Sequence, residues 1–480
     1  MSLIGNAGQL PRSLTFSRGA FKPAWGCGTS RRGNDPAAVA IVGRGSRCGA
    51  DLGVQMTEKR RPATALLRML GPGLLTGAAD DDPSGIATYS QGGAQFGYVL
   101  CWTTFLTTPF MIAIQLVSAR IGRVTGQGLA ANVGKALPAS ALYVIVALLL
   151  FANTLNLAAD IAAMGAAARL VIGGSELVYI VVFGVGCLVA EVLVPYHAYA
   201  RYLKALTLVL FAYVATAFSI RIPWGSVAAA TFVPHVEANG EFAMMLVAIF
   251  GTTISPYMFF WQASLEAEER KLSSKVDAGA AAPMPRRLAP RDLLRIRIDT
   301  TVGMVLSNVI AFFIIVTTAA TLHVHGKTQI GTAAEAAEAL RPLAGPLTFV
   351  LFSLGIIGTG LLAVPVLAGS AAYAVAECFG WEGSLEKPAR SAPGFYLVVA
   401  AATLSGLAVA LTPLDPIRML IWSAVVNGIV AVPLMVAMML VVASRKLMGN
   451  HAAPRTLTAF GWAATALMAV VVAAMLVTSL

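Results

Sequence analysis

Long apolar segments dominate this sequence and limit the folds open to it. Eleven runs of about 20 or more mainly apolar residues can be counted, each long enough as a helix to cross a hydrocarbon core of about 30 Å. Hydrophobic residues make up 57% of the 480 residues, and charged residues only 12%. We therefore predict an all-α polytopic membrane protein with about eleven transmembrane helices, at residues 66–90, 96–119, 140–171, 177–195, 202–220, 242–265, 299–321, 345–377, 393–412, 416–443 and 457–478.

The first apolar segment is interrupted by three acids, Asp80, Asp81 and Asp82, which are followed by Pro83 and Gly85. Proline removes an amide donor and glycine tolerates non-helical backbone, so we expect the helix to break here. A charged side chain inside a bilayer is costly and usually faces a cavity or an ion pathway. The sequence therefore predicts a solute site at this break.

The three acids cannot all lie on one face of a regular helix, since successive residues point about 100° apart. We predict Asp82, at the break itself, as the main ligand. Asp80 or Asp81 is then a second ligand or a proton carrier, unless one of them pairs with a polar side chain of a neighbouring helix, such as Asn153 or Asn156.

The sixth segment, 242–265, is also interrupted, by the run from Gly251 to Tyr257 with hydroxyls at Thr252 and Ser255 and a proline at 256. Two interrupted segments in corresponding positions of two halves are typical of the binding site of an inverted-repeat transporter. The alternative is a pair of ordinary proline kinks, which would leave the acids of the first segment without a purpose.

Basic residues are distributed unevenly between the two sides of the predicted membrane. With the N-terminus inside, the cytoplasmic segments after residue 55 hold 22 Lys and Arg residues and the outer segments hold five. Positive charge favours the cytoplasmic side, so we predict a cytoplasmic N-terminus and an external C-terminus, in a bacterial inner membrane. The net charge is +11, and the basic residues that produce it lie between the predicted spans. The expected partner is therefore the lipid bilayer and not a nucleic acid.

The same pattern divides the chain into regions. We expect a disordered or spurious tail at 1–55, a first repeat continuing through the sixth helix at 56–265, and a flexible cytoplasmic linker at 266–298. The rest of the second repeat follows at 299–443, with an eleventh helix at 444–480. The linker begins with Glu266, Glu268 and Glu269, which we interpret as a solvated helix end.

Enzymatic and ATP-driven functions have no motif in this chain. HExxH, Walker A, GxSxG and GxGxxG patterns do not occur. We therefore expect neither an enzyme nor a permanently bound cofactor.

Several motifs resemble those of the NRAMP family of divalent-metal transporters. The matching stretches are Leu70 to Gly73, Asp82 to Thr88, Gln91 to Tyr98, Asp160 to Gly165 and Gly251 to Pro256. The resemblance covers about residues 66–443. It implies the LeuT-type fold, in which two inverted repeats of five helices hold the site between interrupted helices 1 and 6.

The chain departs from the family pattern at the residues that bind metal. Gly85 stands where family members usually have Asn, Ser255 where they have Met, Tyr257 where they have His and Thr252 where they have Ala. The resemblance then implies an all-oxygen site built from Asp82, Thr252 and Ser255, with Gly85 and Tyr257 also at the substrate.

Oxygen ligands suit hard ions such as Mg²⁺ and Mn²⁺, whereas thioethers favour softer metals. The chain also lacks part of the proton pathway that the resemblance implies, because Ala163 stands where the family has a Glu. Asp160 remains as the candidate coupling residue. The oxygen ligands therefore predict a secondary transporter of a hard divalent cation, with H⁺ or Na⁺ as the candidate coupling ion. One alternative keeps the fold but carries bicarbonate or another small anion with sodium or proton coupling, and a second is a sensor that no longer transports.

Overall fold

The computed structural model describes residues 72–194, 208–278, 290–385 and 387–478. The predicted tail 1–55, the start of the first segment and the middle of the predicted linker lie outside these residues. The α-helices of the described part are α1 (Pro72–Asp80), α2 (Pro83–Phe96), α3 (Cys101–Thr125), α4 (Leu129–Ala136), α5 (Ala139–Ile172), α6 (Glu176–Leu193), α7 (Phe211–Ser219), α8 (Trp224–Phe232), α9 (Gly240–Thr253), α10 (Pro256–Ala278), α11 (Pro290–Thr321), α12 (Ala333–Ala337), α13 (Arg341–Ala344), α14 (Thr348–Phe379), α15 (Pro393–Ala410), α16 (Pro416–Ala443), α17 (Arg445–Met448) and α18 (Arg455–Thr478).

Within the described ranges, nine helical stretches are long and apolar enough to cross a membrane, or ten if α7 and α8 with the turn before them form one bent span. One of the nine, Pro83–Thr125, contains α2, a 3₁₀ turn at Gly97–Leu100 and α3. This stretch contains the predicted segment 96–119 and the second part of 66–90, and the bent pair overlaps the described part of the predicted segment 202–220. The prediction of an all-helical membrane protein is confirmed.

Contacts with α11 show that the chain reverses between α2 and α3. Along α1 and α2, the Gly73 amide donates to Asp299 at 2.8 Å, and the Ala94 carbonyl lies 2.8 Å from His323, so these helices run parallel to α11. Along α3 the order is opposite, since Thr108 contacts Asn308 and Arg123 contacts Asp292. The reversal occurs at Gly97, whose φ of 60° suits a residue without a side chain.

Corresponding helices of the two halves run in opposite directions. Helices α5 and α14 are antiparallel, because Asn153 near the middle of α5 donates to Ser370 while Ser353 near the start of α14 donates to the Ala167 carbonyl. Helix α10 follows α3 in the same direction, with Gln115 and Ser118 donating to the carbonyls of Met258 and Phe259. Therefore α9 and α10 run opposite to α1 and α2, as inverted repeats require.

The last helix places the ends of the described chain on opposite sides. Arg120, near the end of α3, donates to the carbonyls of His451 and Ala452 just before α18, whereas Phe110 packs against Phe460 further along. Helix α18 is thus antiparallel to α3 and parallel to α1. Its end lies on the membrane face opposite to the start of α1.

The described residues of the predicted linker 266–298 are helical, because α10 continues to Ala278 and α11 begins at Pro290. The interpretation of Glu266 as part of a solvated helix end is wrong, since its side chain is fully buried. Glu266 lies 3.7 Å from Arg123 and 3.1 Å from Arg295, and Arg295 also lies 2.7 Å from Glu269. These ion pairs join α3, α10 and α11 at one face of the bundle.

Candidate functional site

Two helix breaks meet in the interior of the bundle. Helix α1 ends at Asp80 and α2 begins at Pro83, while α9 ends at Thr253 and α10 begins at Pro256. Proline fits the first position of a helix, where an amide would lack a partner in any case. Each break leaves carbonyl groups at the end of the preceding helix without an intrahelical partner, so oxygen atoms concentrate at both points.

Asp82 caps the N-terminus of α2. Its backbone is extended, with φ −71° and ψ 170°, and its Oδ1 accepts a hydrogen bond of 2.7 Å from the Gly85 amide. Its Oδ2 accepts a hydrogen bond of 3.0 Å from the Tyr257 hydroxyl at the start of α10. Asp82 is therefore held by both broken helices, with 2% of its surface exposed.

Gly85 lies close to the second break. A Cβ atom at this position would lie 3.2 Å from Thr252 Oγ1 and 3.4 Å from the Asp80 carbonyl oxygen. A side chain here would crowd the Thr252 hydroxyl and touch the Asp80 carbonyl oxygen. The absence of a side chain at position 85 thus allows the first break to approach Thr252 directly.

Ser255 closes the end of α9. Its hydroxyl donates to the carbonyl oxygens of Thr252, at 2.7 Å, and Gly251, at 3.2 Å. The lone pairs of its oxygen remain able to accept or to coordinate a cation. The predicted residues Asp82, Gly85, Thr252 and Tyr257 thus lie together, and Ser255 adjoins them through the Thr252 carbonyl.

Asp80 and Asp81 face helix α11. The Ser307 hydroxyl lies 2.7 Å from Asp80 Oδ2 and 3.0 Å from Asp81 Oδ1, and all three residues are buried. This contact fits the alternative that one of the acids pairs with a polar side chain of a neighbouring helix. The suggested partners Asn153 and Asn156 are wrong, because these amides join other helices, through Ser370 and Asn427 respectively. The polar partner is Ser307, which the sequence analysis missed. The adjacent pair Ser307–Asn308 inside an apolar span was the available signal.

Asp160 lies on α5, across from the start of α2. It is fully buried, and neither of its carboxyl oxygens accepts a hydrogen bond from the described residues. It lies within electrostatic reach of the Asp82 carboxyl group and of the Ser84 amide. Ser84 in turn donates to the Leu420 carbonyl at 2.8 Å, which ties α2 to α16.

An open cavity of about 770 Å³ leads toward this region from one membrane face. Its wall includes Arg169 and Glu176 near that face and Ile86 and Leu420 close to Ser84. At the opposite face, which we call the Glu266 face, the ion pairs around Glu266 join α3, α10 and α11. The site is therefore approached from the side on which α5 ends.

Comparison with known protein families identifies one match over most of the chain. Residues 73–478 match the family model described as natural resistance-associated macrophage protein-like. Among similar proteins is the divalent metal cation transporter MntH of Klebsiella pneumoniae subsp. pneumoniae, 25% identical over 423 residues, covering 86% of this chain and 95% of that protein. MntH of Mesorhizobium japonicum is 26% identical over 431 residues, covering 84% and 87% respectively.

Solved structures with the same architecture include the Eremococcus coleocola manganese transporter in complex with an aromatic bis-isothiourea substituted compound. It superposes with a TM-score of 0.65 at 15% identity, over 88% of this chain and 90% of that one. The nucleobase-cation-symport-1 family transporter Mhp1 superposes with a TM-score of 0.52 at 12% identity, over 85% and 93%. At these identities the likeness concerns the fold, and it confirms the predicted LeuT-type arrangement.

Proposed function

Because the chain belongs to the natural resistance-associated macrophage protein-like family, we propose that it is a secondary transporter of a hard divalent cation, Mg²⁺ or Mn²⁺. The observation that carries this proposal is a charge imbalance. Four buried acids, Asp80, Asp81, Asp82 and Asp160, surround the first break, whereas Arg123 at the Glu266 face is the one buried basic side chain among the described residues. Buried carboxylates without a basic partner favour a bound cation or protons.

The proposed ligands are those that the two breaks bring together. Asp82 supplies the negative charge, Thr252 and Ser255 supply hydroxyl oxygens, and the end of α9 supplies carbonyl oxygens. Tyr257 holds Asp82 through a hydrogen bond of 3.0 Å. Asp80 or Asp81 supplies a second charge, and Asp160 is the proposed site of a coupling proton or sodium ion.

One observation favours a softer metal as a second candidate. Met111, Met258 and Met304 line a small cavity together with Asp80 and Ser255. Thioether side chains therefore lie near Ser255, although position 255 itself has none. If one of these sulfur atoms reaches the ion, the site gains affinity for transition metals over Mg²⁺.

The role of the methionines can be tested at Met258. We expect Met258→Leu, which conserves volume, to leave Mg²⁺, Mn²⁺ and Cd²⁺ binding within about twofold of the wild type, because oxygen atoms provide the ligands. The measurement is isothermal titration calorimetry of the purified protein with each ion. Ten-fold weaker Cd²⁺ binding with unchanged Mg²⁺ binding would identify the thioether as a ligand and favour the softer metal.

The anion alternative receives less support from the geometry. It requires the positive N-terminus of α2 to hold a bicarbonate or carboxylate. That terminus already binds the Asp82 carboxylate, through the Gly85 amide at 2.7 Å. An additional anion would lie among four buried acids. The sensor alternative has no observation in its favour.

Transport by alternating access fits the two faces of the bundle. The proposed cycle opens the 770 Å³ cavity in one state and the Glu266 face in the other, as the two repeats rock around Asp82. We place the Glu266 face in the cytoplasm, with the N-terminus inside and the C-terminus outside, in a bacterial inner membrane. We also propose that the chain is divided into a first repeat that continues through the sixth helix (56–265), a linker (266–298), the rest of the second repeat (299–443) and an eleventh helix (444–480).

Ligand-dependent thermal stability separates the cation from the anion. A ligand that binds only the folded state stabilises it in proportion to the logarithm of its concentration over Kd. We expect Mg²⁺ and Mn²⁺ to raise the unfolding temperature of the purified protein progressively, and sodium bicarbonate to leave it unchanged relative to sodium chloride. Stabilisation by sodium bicarbonate alone would transfer the assignment to the anion.

A further inference from the structure

A groove separate from the ion site lies between α3, α11 and the start of α18. Its volume is about 610 Å³, and its wall is mainly apolar, including Ile112 and Leu116 of α3, Leu294 of α11 and Phe460 of α18. Leu294 is 52% exposed and Phe460 is 48% exposed, so the groove opens on the outer surface of the bundle, where lipid lies. Two arginines, Arg120 and Arg297, also line it.

We propose that this groove binds one anionic phospholipid, with its phosphate at the arginines and an acyl chain along the apolar wall. The proposal does not depend on the ion that the protein carries. Basic pockets between transmembrane helices are suited to acidic lipid headgroups.

The charges around the groove are complementary to a phosphate. The lining residues include Arg120 and Arg297 and no acid. Arg297 is exposed and forms no ion pair with the described residues. Arg120 donates from Nε and Nη2 to the carbonyls of His451 and Ala452, at 2.9 and 3.1 Å, which holds its guanidinium at the groove and leaves Nη1 available. A third arginine, Arg455, begins α18 directly after Pro454 of the lining.

The length of the groove matches one leaflet. Pro109 lines it eleven positions before Arg120 on the same helix, a separation of about 16 Å at the helical rise. Half of the hydrocarbon core measures about 15 Å. A headgroup at Arg120 and Arg297 therefore places its acyl chain along α3 toward the bilayer centre. The arginines lie toward the same face as Arg123, so the lipid belongs to the cytoplasmic leaflet in the proposed orientation.

Native mass spectrometry of the delipidated full chain tests this site. The protein is mixed with equal amounts of phosphatidylglycerol and phosphatidylcholine of different acyl mass, and the bound lipids are counted. We expect one phosphatidylglycerol to be retained preferentially, and Arg297→Gln to reduce that preference about fivefold, the effect of one basic residue on an acidic lipid. The matched control is Arg418→Gln, an exposed arginine near the start of α16, which should keep the wild-type preference.

Three results would overturn the proposal. Equal retention of the two lipids by the wild type would mean ordinary annular contact, and an equal loss in both variants would mean a general charge effect. The third is a competition experiment in which inorganic phosphate is added in excess. If the site recognised only the phosphate group and not the acyl chain, phosphatidylglycerol would be displaced. We expect phosphatidylglycerol to stay bound under that condition.

Discussion

Asp82→Asn is expected to weaken divalent-cation binding by at least a hundredfold. The substitution keeps the size of the side chain and an oxygen that can accept from Gly85 or Tyr257, so the break between α1 and α2 should persist. What it removes is the negative charge at the point where both broken helices converge. Removing one partner of a buried charge pair costs about 3–5 kcal/mol, which corresponds to more than two powers of ten in affinity.

Calorimetric titration of the purified variant with Mg²⁺ and Mn²⁺ measures this loss. The control is Glu338→Gln, which removes one negative charge from a surface residue paired with Arg341 and should bind both ions as the wild type does. Unfolding temperatures without metal must be compared first, so that a folding defect is not mistaken for a binding defect. Binding of either ion within threefold of the wild type would remove Asp82 from the ligand set.

Glu266→Gln is expected to destabilise the folded protein by about 3 kcal/mol. Its carboxylate is fully buried between Arg123, which is 4% exposed, and Arg295, which is 18% exposed. When the carboxylate charge is removed, the guanidinium groups of Arg123 and Arg295 stay charged and largely buried, with one fewer anionic partner. Breaking a buried ion pair in this way is strongly destabilising. Thermal unfolding in detergent, followed by circular dichroism, measures the change.

The matched control for this prediction is Glu176→Gln at the opposite face. Glu176 forms a hydrogen-bonded ion pair with Arg169 at 3.0 Å, and that arginine is 60% exposed. Exposed pairs contribute about 0–1 kcal/mol, so the unfolding temperature should fall little. Equal decreases in the two variants would show that burial of the Glu266 cluster adds no stability.

The sequence predicts much of this architecture because the bilayer restricts the possible solutions. Apolar segments of about 20 residues must become helices, and the acids before Pro83 have few purposes other than a site in the interior. The convergence of Asp82 with Tyr257 follows from the pairing of two interrupted segments. This part of the site can therefore be predicted from the sequence alone.

The contacts of Ser307 and the burial of Glu266 depend on how distant helices pack, which a local sequence pattern does not predict. Ser307 lies more than 200 residues after Asp80 and Asp81, and only the packing of α11 against α1 brings them together. Glu266 looks solvated in sequence because charges surround it. It is buried because α3 and α11 carry Arg123 and Arg295 to the same place.

Cation influx into proteoliposomes tests the central claim most directly. Purified protein is reconstituted with a metal-sensitive dye inside, Mg²⁺ or Mn²⁺ is added outside, and Asp82→Asn vesicles prepared in the same way serve as the control. We predict saturable influx of at least one of the two ions into wild-type vesicles, and dye signals from Asp82→Asn vesicles equal to those of protein-free vesicles. No influx of either ion through folded, inserted wild-type protein, or equal influx through Asp82→Asn, would contradict a divalent-cation transporter built around Asp82.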